Sequence, residues 1–357
     1  MMLKRFFFIG SWLLLSASCA YKATQPPQFS KLDQSPVVIE TKHNYELHLK
    51  SPQNRGDILF TTHLIQKKTV HSDDTVVRFA KQEGRLLVAL RTDNNDTIQW
   101  SNRKILFKKV PNFRDLGGIQ TTEGRTIYWG KLFRSGQLNG LRKHDVKKME
   151  EMDIGTLVDL RTEVELHKKP DKYPTTTTYF HYNAFEDEQE QLAKTRQAVF
   201  KGEISPIESV ELLKAFYSYY PIEEPEIIKE IIHKVLDQNH AVLFHCSAGK
   251  DRTGIIAALV LSVLKVDRET IYQEYLLSNN YRQKGIEKQL KLLKVGRLIY
   301  PKLNQTVVEN FSWVNTDYLM ASFGAIESRY GSMDNYISQV LKITESDRQK
   351  YIEKFTY

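Results

Sequence analysis

Three consecutive pieces of chain constrain the fold more than anything else: Ala241-Val-Leu-Phe-His245, then Cys246-Ser-Ala-Gly-Lys-Asp-Arg-Thr-Gly254, then the run from Ile255 to Leu264, apolar but for Ser262. The first reads as a short buried strand and the last as a helix apolar on every side. A buried strand feeding a buried helix needs cover on both faces, which points to the α/β class. The turn between them gathers backbone N–H groups and a helix N-terminus, where an anion is favoured. Ala248 and Gly249 permit close backbone approach, so Ser247, Ala248, Gly249, Lys250, Asp251 and Arg252 form a candidate phosphate cradle. Arg252 offers a planar fork to two phosphate oxygens. Cys246 points into the same cradle, where amides, helix dipole and arginine favour the thiolate. A thiolate facing phosphorus is a nucleophile, and the expected chemistry passes through a cysteinyl-phosphate. Thr253 is placed to hydrogen-bond the sulfur, and His245 to orient the loop through its ring.

The pattern from His245 and Cys246 to Arg252 and Thr253 resembles the signature of the cysteine-dependent protein tyrosine phosphatases. Its Gly-Lys-Asp-Arg variant is similar to a bacterial branch with tyrosine, dual-specificity and phosphoinositide phosphatase members. Asn112-Phe-Arg-Asp-Leu-Gly-Gly118, Leu132-Phe-Arg-Ser-Gly136, Val158-Asp-Leu-Arg161 and Tyr330-Gly-Ser-Met-Asp-Asn-Tyr336 fit that branch in order, so the resemblance covers residues 105 to 357. It implies a cysteine-phosphatase fold, no cofactor, and hydrolysis of phosphotyrosine monoesters with phosphoserine and phosphothreonine open. Lys250 keeps phosphoinositide or inositol-polyphosphate substrates open as well. A reading from another class is a surface lipoprotein that binds phospho-ligands without turnover. Arg252 argues against a sulfurtransferase loop.

Departure of the leaving group requires a proton donor. The tryptophan-proline-aspartate motif of conventional tyrosine phosphatases is absent, and three carboxylates compete: Asp159, at the end of an expected strand and favoured, then Asp251 inside the loop, then Asp187 in a polar stretch. Arg161 is expected beside Asp159. Arg114 and Asp115 are expected to form a buried pair that positions the Gly117-Gly118 turn, with Arg134 and Ser135 in similar support. No cluster with metal-ligand spacing is visible.

Lys4 and Arg5 precede the run Phe6 to Leu15, too short to span a bilayer, followed by Leu15-Ser-Ala-Ser-Cys19. This resembles a bacterial lipoprotein processing site with Cys19 lipidated; ordinary signal cleavage is the alternative. The chain has 2 cysteines, so with Cys246 as nucleophile Cys19 has no structural partner. The expectation is an exported, membrane-anchored protein of a bacterial envelope. The net charge of +8, or +6 without Lys4 and Arg5, suits phosphorylated substrates or a membrane surface. There is no basic stripe interleaved with aromatics, so nucleic acid is not indicated.

The expected organisation is a signal peptide over 1–18, a tether over 19–36, a β-sandwich-like module over 37–108 and a catalytic domain over 109–357. Candidate module strands are Val37–Glu40, Tyr45–Lys50, Asp57–Leu64, Thr75–Phe79 and Leu86–Leu90, separated by turn signals. The catalytic domain should hold strands at Gly155–Leu160, Thr178–Tyr182 and Ala241–His245 in a parallel-type sheet with flanking helices. Ligands of such sheets bind at the strands' carboxyl ends. The segment 183–225 reads equally as a lid or as ordinary surface helices. Thr344-Glu-Ser-Asp347 carries a capping-box pattern.

Overall fold

A computed structural model describes residues 26–33, 37–49, 56–61, 65–70, 76–80, 85–91, 97–183, 188–296 and 300–357. The signal segment, Cys19 and Asp187 lie outside the described residues.

The N-terminal region is built from antiparallel strands: β1 (Val37–Glu40), β2 (Asn44–His48), β3 (Gly56–Thr61), β4 (Ile65–Val70), β5 (Val76–Ala80), β6 (Leu87–Arg91) and β7 (Thr97–Ser101). They form two sheets, ordered β1-β2-β5 and β4-β3-β6-β7. Residues alternate inward along β1, β2 and β5, and Val38, Tyr45, Leu47, Val77 and Phe79 meet Leu86, Val88 and Trp100 in one core. The strands β4 and β7 were not marked in the sequence.

The rest of the chain continues with β8 (Arg114–Asp115), β9 (Leu132–Ser135), α1 (Lys143–Glu151), β10 (Ile154–Asp159), α2 (Glu163–Lys168), β11 (Thr178–His181), α3 (Glu188–Lys201), α4 (Pro206–Glu223), α5 (Pro225–Leu236) and β12 (Ala241–His245). The helices α6 (Arg252–Val263), α7 (Arg268–Gly296), α8 (Gln305–Ser312), α9 (Thr316–Tyr330), α10 (Met333–Gln339) and α11 (Glu345–Phe355) complete it. The sheet order is β11-β10-β12-β9-β8. The first four strands run parallel and β8 pairs antiparallel at the edge.

The period of two along β12 divides the interior. Val242 and Phe244 join the core made with α4 to α7 and the C-terminal helices. Ala241 and Leu243 face the opposite core, with Phe113, Phe133, Met149 and Met152. Every residue of α6 is buried, which is why its sequence is apolar all round. Because the four long strands run parallel, the loops after Ser135, Asp159, His181 and His245 all open on one edge.

Residues 26–33, expected within the tether, are docked against α7 and the start of α9. The Ser30 amide donates to Asn280 Oδ1 at 2.9 Å, the Lys31 amide to Gln273 Oε1 at 2.9 Å, and the Thr316 amide to Gln28 Oε1 at 3.0 Å. Asp33 accepts from the Tyr281 hydroxyl and from Arg103 Nε. The amides that a free tether leaves to water are taken here by amide side chains of α7.

Candidate active site

The turn from β12 into α6 is shaped by Gly249, whose φ is +67°. A Cβ there would lie 2.4 Å from the Ser135 backbone, so only glycine lets the loop pass so close to β9. The Gly249 carbonyl accepts from Asn112 Nδ2 at 2.6 Å and from Arg134 Nη2 at 3.0 Å. The amide of Gln137 donates to the Ser247 carbonyl at 3.2 Å. The loop is thus stitched to the ends of β8 and β9 before any ligand arrives.

Cys246 begins the loop and is buried. Burial pushes its thiol pKa up, but the Arg252 charge and the hydroxyl and amide of Thr253 outweigh burial and leave the thiol below its ordinary value. The Thr253 hydroxyl is buried with no nitrogen or oxygen partner among the described residues, and it helps to lower the Cys246 thiol. Arg252 Nη1 and Nη2 donate to the two oxygens of Glu165 at 2.7 and 3.0 Å, and Nη1 also donates to the Leu160 carbonyl at 3.0 Å. Ser247 Oγ donates to Glu165 Oε1 at 2.6 Å. Burial would raise the Glu165 carboxyl, yet Arg252, Ser247 and the Thr162 amide bring it down to about 2. The sequence reading passed over Glu165. Its signal was the Thr162-Glu-Val-Glu165 capping box at the start of α2, which fixes the carboxylate beneath the loop.

Asp159 is fully buried at the end of β10. Its oxygens accept from Arg161 Nε at 2.9 and 3.0 Å, Arg161 Nη2 at 2.6 Å and the Tyr179 hydroxyl at 3.0 Å. Burial disfavours the charged form, but the charge of His245 and the guanidinium of Arg161 hold this carboxyl well below the usual range. The expected Asp159–Arg161 pair is therefore present, and it makes Asp159 a committed anion with no proton to give. His245 Nε2 lies 3.1 Å from Asp171 Oδ2. Burial lowers the imidazole pKa, and the Asp159 charge with the Asp171 contact overcomes it and raises it. Asp159, Asp171 and His245 place ligand atoms within 4.8 Å of one another. Arg161 Nη2 contacts both carboxylates, so a guanidinium fills the place a metal ion would take.

Asp251 sits differently. It lies in the loop with its side chain 25% exposed and accepts from Lys250 Nζ at 2.7 Å and the Tyr217 hydroxyl at 2.8 Å. Burial raises its carboxyl, while Lys250, Tyr217 and the charge of Arg282 together bring it below the ordinary value. Tyr217 comes from α4, whose Val210, Leu213, Tyr217 and Tyr220 are buried. Within the 183–225 segment, α4 is thus a core-facing helix that delivers a hydroxyl to the loop. Arg282, on α7, donates to the Ser312 carbonyl at 2.8 Å and acts electrostatically on Asp251 and Cys246. Neither Tyr217 nor Arg282 carried a local signal; Tyr217 bonds the loop from α4, and Arg282 acts on it through its charge from α7.

The expected Arg114–Asp115 pair does not form. Neighbours on a strand face opposite sides, and these two do. Arg114 Nε donates to Glu274 Oε1 at 2.6 Å, and Arg134 Nη1 donates to Glu274 Oε2 at 2.6 Å. Asp115 instead accepts from Arg85 and from the amides of Gly117 and Gly130, both at 2.7 Å. Its link to the Gly117 turn holds, but its cation comes from the N-terminal strands.

A thiol lowered by an arginine, at the head of a buried helix beyond the carboxyl end of a parallel strand, is a phosphate-handling arrangement of the cysteine phosphatase kind. The family model for the tyrosine phosphatase family matches residues 105–357, and the chain belongs to that family. It is 28% identical over 239 residues to a Cupriavidus necator protein named as a tyrosine-protein phosphatase, covering 67% of this chain and 84% of that one. It is 25% identical over 253 residues to the triple specificity protein phosphatase PtpB of Mycobacterium tuberculosis, covering 63% of this chain and 90% of that one. A shorter similarity, 39% over 51 residues, joins it to an inositol diphosphatase of Arabidopsis thaliana and covers 14% of this chain and 26% of that one.

Proposed function

We propose that this phosphatase hydrolyses phosphotyrosine monoesters, with phosphoserine and phosphothreonine as further substrates, through a cysteinyl-phosphate on Cys246. The observation that carries this is the lowered thiol of a buried cysteine whose loop also presents Arg252, Thr253 and a run of amides. The Cys246 thiolate attacks phosphorus, forming the S–P bond as the ester P–O bond breaks. Amides of residues 247 to 252 and the Arg252 fork stabilise the equatorial oxygens. Asp251 is the acid in this scheme. A phosphate dianion seated in the loop draws on Lys250 and Arg282 and raises the Asp251 carboxyl, so that it is protonated when the leaving oxygen needs a proton. Water then attacks the phosphocysteine, Asp251 takes its proton, and Thr253 stabilises the departing thiolate. The fully exchanged roles favour Asp251 over Asp159, which is bound on every side by Arg161 and Tyr179.

The cationic pair Lys250 and Arg282 beside the loop favours a second reading, in which phosphoinositides or inositol polyphosphates are substrates. The apolar run Phe6 to Leu15 ahead of Cys19 supports export and a lipid anchor on Cys19.

The purified chain and Cys246→Ser, without added metal, are assayed on phosphotyrosine peptide, phosphoserine peptide, a phosphoinositide and inositol hexakisphosphate. Turnover lost in the variant, with iodine-labile phosphate trapped on Cys246, supports the scheme, and the substrate ranking selects between the readings. Phosphotyrosine binding without turnover, unchanged in Cys246→Ser, replaces it with a binding protein. Incorporation of a fatty-acid label that Cys19→Ala abolishes tests the anchor.

A further inference from the structure

The N-terminal module shows no catalytic constellation among its described residues, yet one of its side chains is built into the edge of the catalytic sheet. Arg85, just before β6, donates through Nη1 to Asp115 Oδ2, through Nη2 to the Asn102 carbonyl and through Nε to Asn102 Oδ1 at 3.3 Å. Its guanidinium carbon lies 5.7 Å from the Trp129 ring centre and 5.5 Å from that of Phe133. Arg103 covers Trp129 from another side at 5.0 Å, and Trp129 Nε1 donates to the Gln99 carbonyl at 3.1 Å. Asp115 is fully buried and its carboxylate is also the acceptor for two glycine amides. An ionised group so placed depends on its cation.

Asp115 and Arg114 are consecutive on β8, which is held between residues 103–105 and β9. What fixes Asp115 on one face fixes Arg114 on the other. From Arg114 the contacts run to Glu274, from Glu274 to Arg134, and from Arg134 to the Gly249 carbonyl in the loop of Cys246. Asn112, one residue before this strand's neighbour Phe113, bonds both Arg114 and Gly249.

We infer that the N-terminal β module is part of the catalytic unit and that Arg85 is a positioning residue for the Cys246 loop. Arg85 touches no substrate; it holds β8 in the placement from which Arg114, Asn112 and Arg134 hold Gly249. The inference rests on Cys246 being the nucleophile, and its test includes an arm that needs no substrate.

The full chain is compared with Arg85→Gln, Arg85→Lys and, as a control, Arg78→Ala on the 66% exposed outer side of β5. Steady-state kinetics on an aryl phosphate give kcat and KM. The pH dependence of iodoacetamide reaction at the Cys246 peptide, followed by mass spectrometry, reads the thiol. Arg85→Gln is expected to lower kcat tenfold or more with KM within threefold, and to move the alkylation midpoint to higher pH. Arg85→Lys keeps the charge but not the fork and falls between, with kcat down about threefold; Arg78→Ala matches wild type. Lower melting temperature with unchanged kcat and alkylation profile below the transition overturns the inference. If the glutamine variant does not fold, the lysine variant is decisive in its place, and an unchanged profile in it overturns the inference. A chain that turns over no phosphate ester but shows the alkylation shift keeps Arg85 as a positioning residue and removes only the phosphatase reading.

Discussion

Replacing Glu165 with glutamine keeps the side-chain volume and removes the charge facing Arg252. The carboxyl falls from an ordinary 4.5 to about 2 in the folded protein. At about 1.36 kcal/mol per pH unit, that drop corresponds to about 3 kcal/mol of preference for the ionised form. The group is 26% exposed, so solvent screening removes only part of it. Because the folded value is depressed, this stabilisation is fully present above pH 4.5 and is lost as pH falls toward 2. Urea unfolding of wild type and Glu165→Gln is therefore expected to differ by about 2 to 3 kcal/mol at pH 7, with the gap closing between pH 4.5 and 2. The variant also loses the bidentate hold on Arg252, so kcat/KM falls by about tenfold or more at neutral pH. A gap that is the same at pH 7 and pH 3, or below about 0.5 kcal/mol throughout, refutes the assignment of Glu165 as the charged partner of Arg252.

Four further outcomes follow from the site. Iodoacetamide should react with Cys246 with a midpoint below the ordinary thiol range, and Arg252→Ala should move it upward, because the charge of Arg252 opposes burial at the sulfur. Asp251→Asn is expected to slow esters of poor leaving groups at least tenfold more than a nitrophenyl ester, read from the leaving-group dependence of kcat. Asp159→Asn should instead lower the unfolding free energy by about 1.5 to 3 kcal/mol, by removing one of the two carboxylates that meet buried Arg161, with no such leaving-group dependence. Gly249→Ala forces a side chain into the Ser135 backbone at positive φ, and its loss of both activity and thermal stability is checked by calorimetry and assay together.

The parts of this molecule visible in its sequence are those encoded by neighbours along the chain. The strand 241–245 and the helix after Arg252 were legible because local apolarity and a glycine-bearing loop define them. The module strands at 37–40 and near 45–50 were legible through alternation, whereas β4, Ile65–Val70, hid because Gln66, Lys67 and Lys68 interrupt any apolar pattern. What stayed hidden was partnership. Asp159 looked like an acid at a strand end; Arg161 beside it was foreseen, but the approach of Tyr179 and His245 was not. Asp115 looked like the mate of Arg114, and the pleat sends them to different partners 30 and 160 residues away. Glu165 had a local signature, the Thr162–Glu165 capping box, that the sequence reading passed over.

The docking of Gln28, Ser30, Lys31 and Asp33 on α7 sets the leash on which a lipidated form would work. Six residues lie between Cys19 and Pro26, just before the docked Gln28. Fully extended, the span from Cys19 to Pro26 reaches about 25 Å. With Cys19 lipidated, as proposed above, a chain held that closely would sweep only a thin shell above its bilayer. Phosphate esters within that shell would be met at a local concentration set by the tether, whereas those farther out would be beyond its reach.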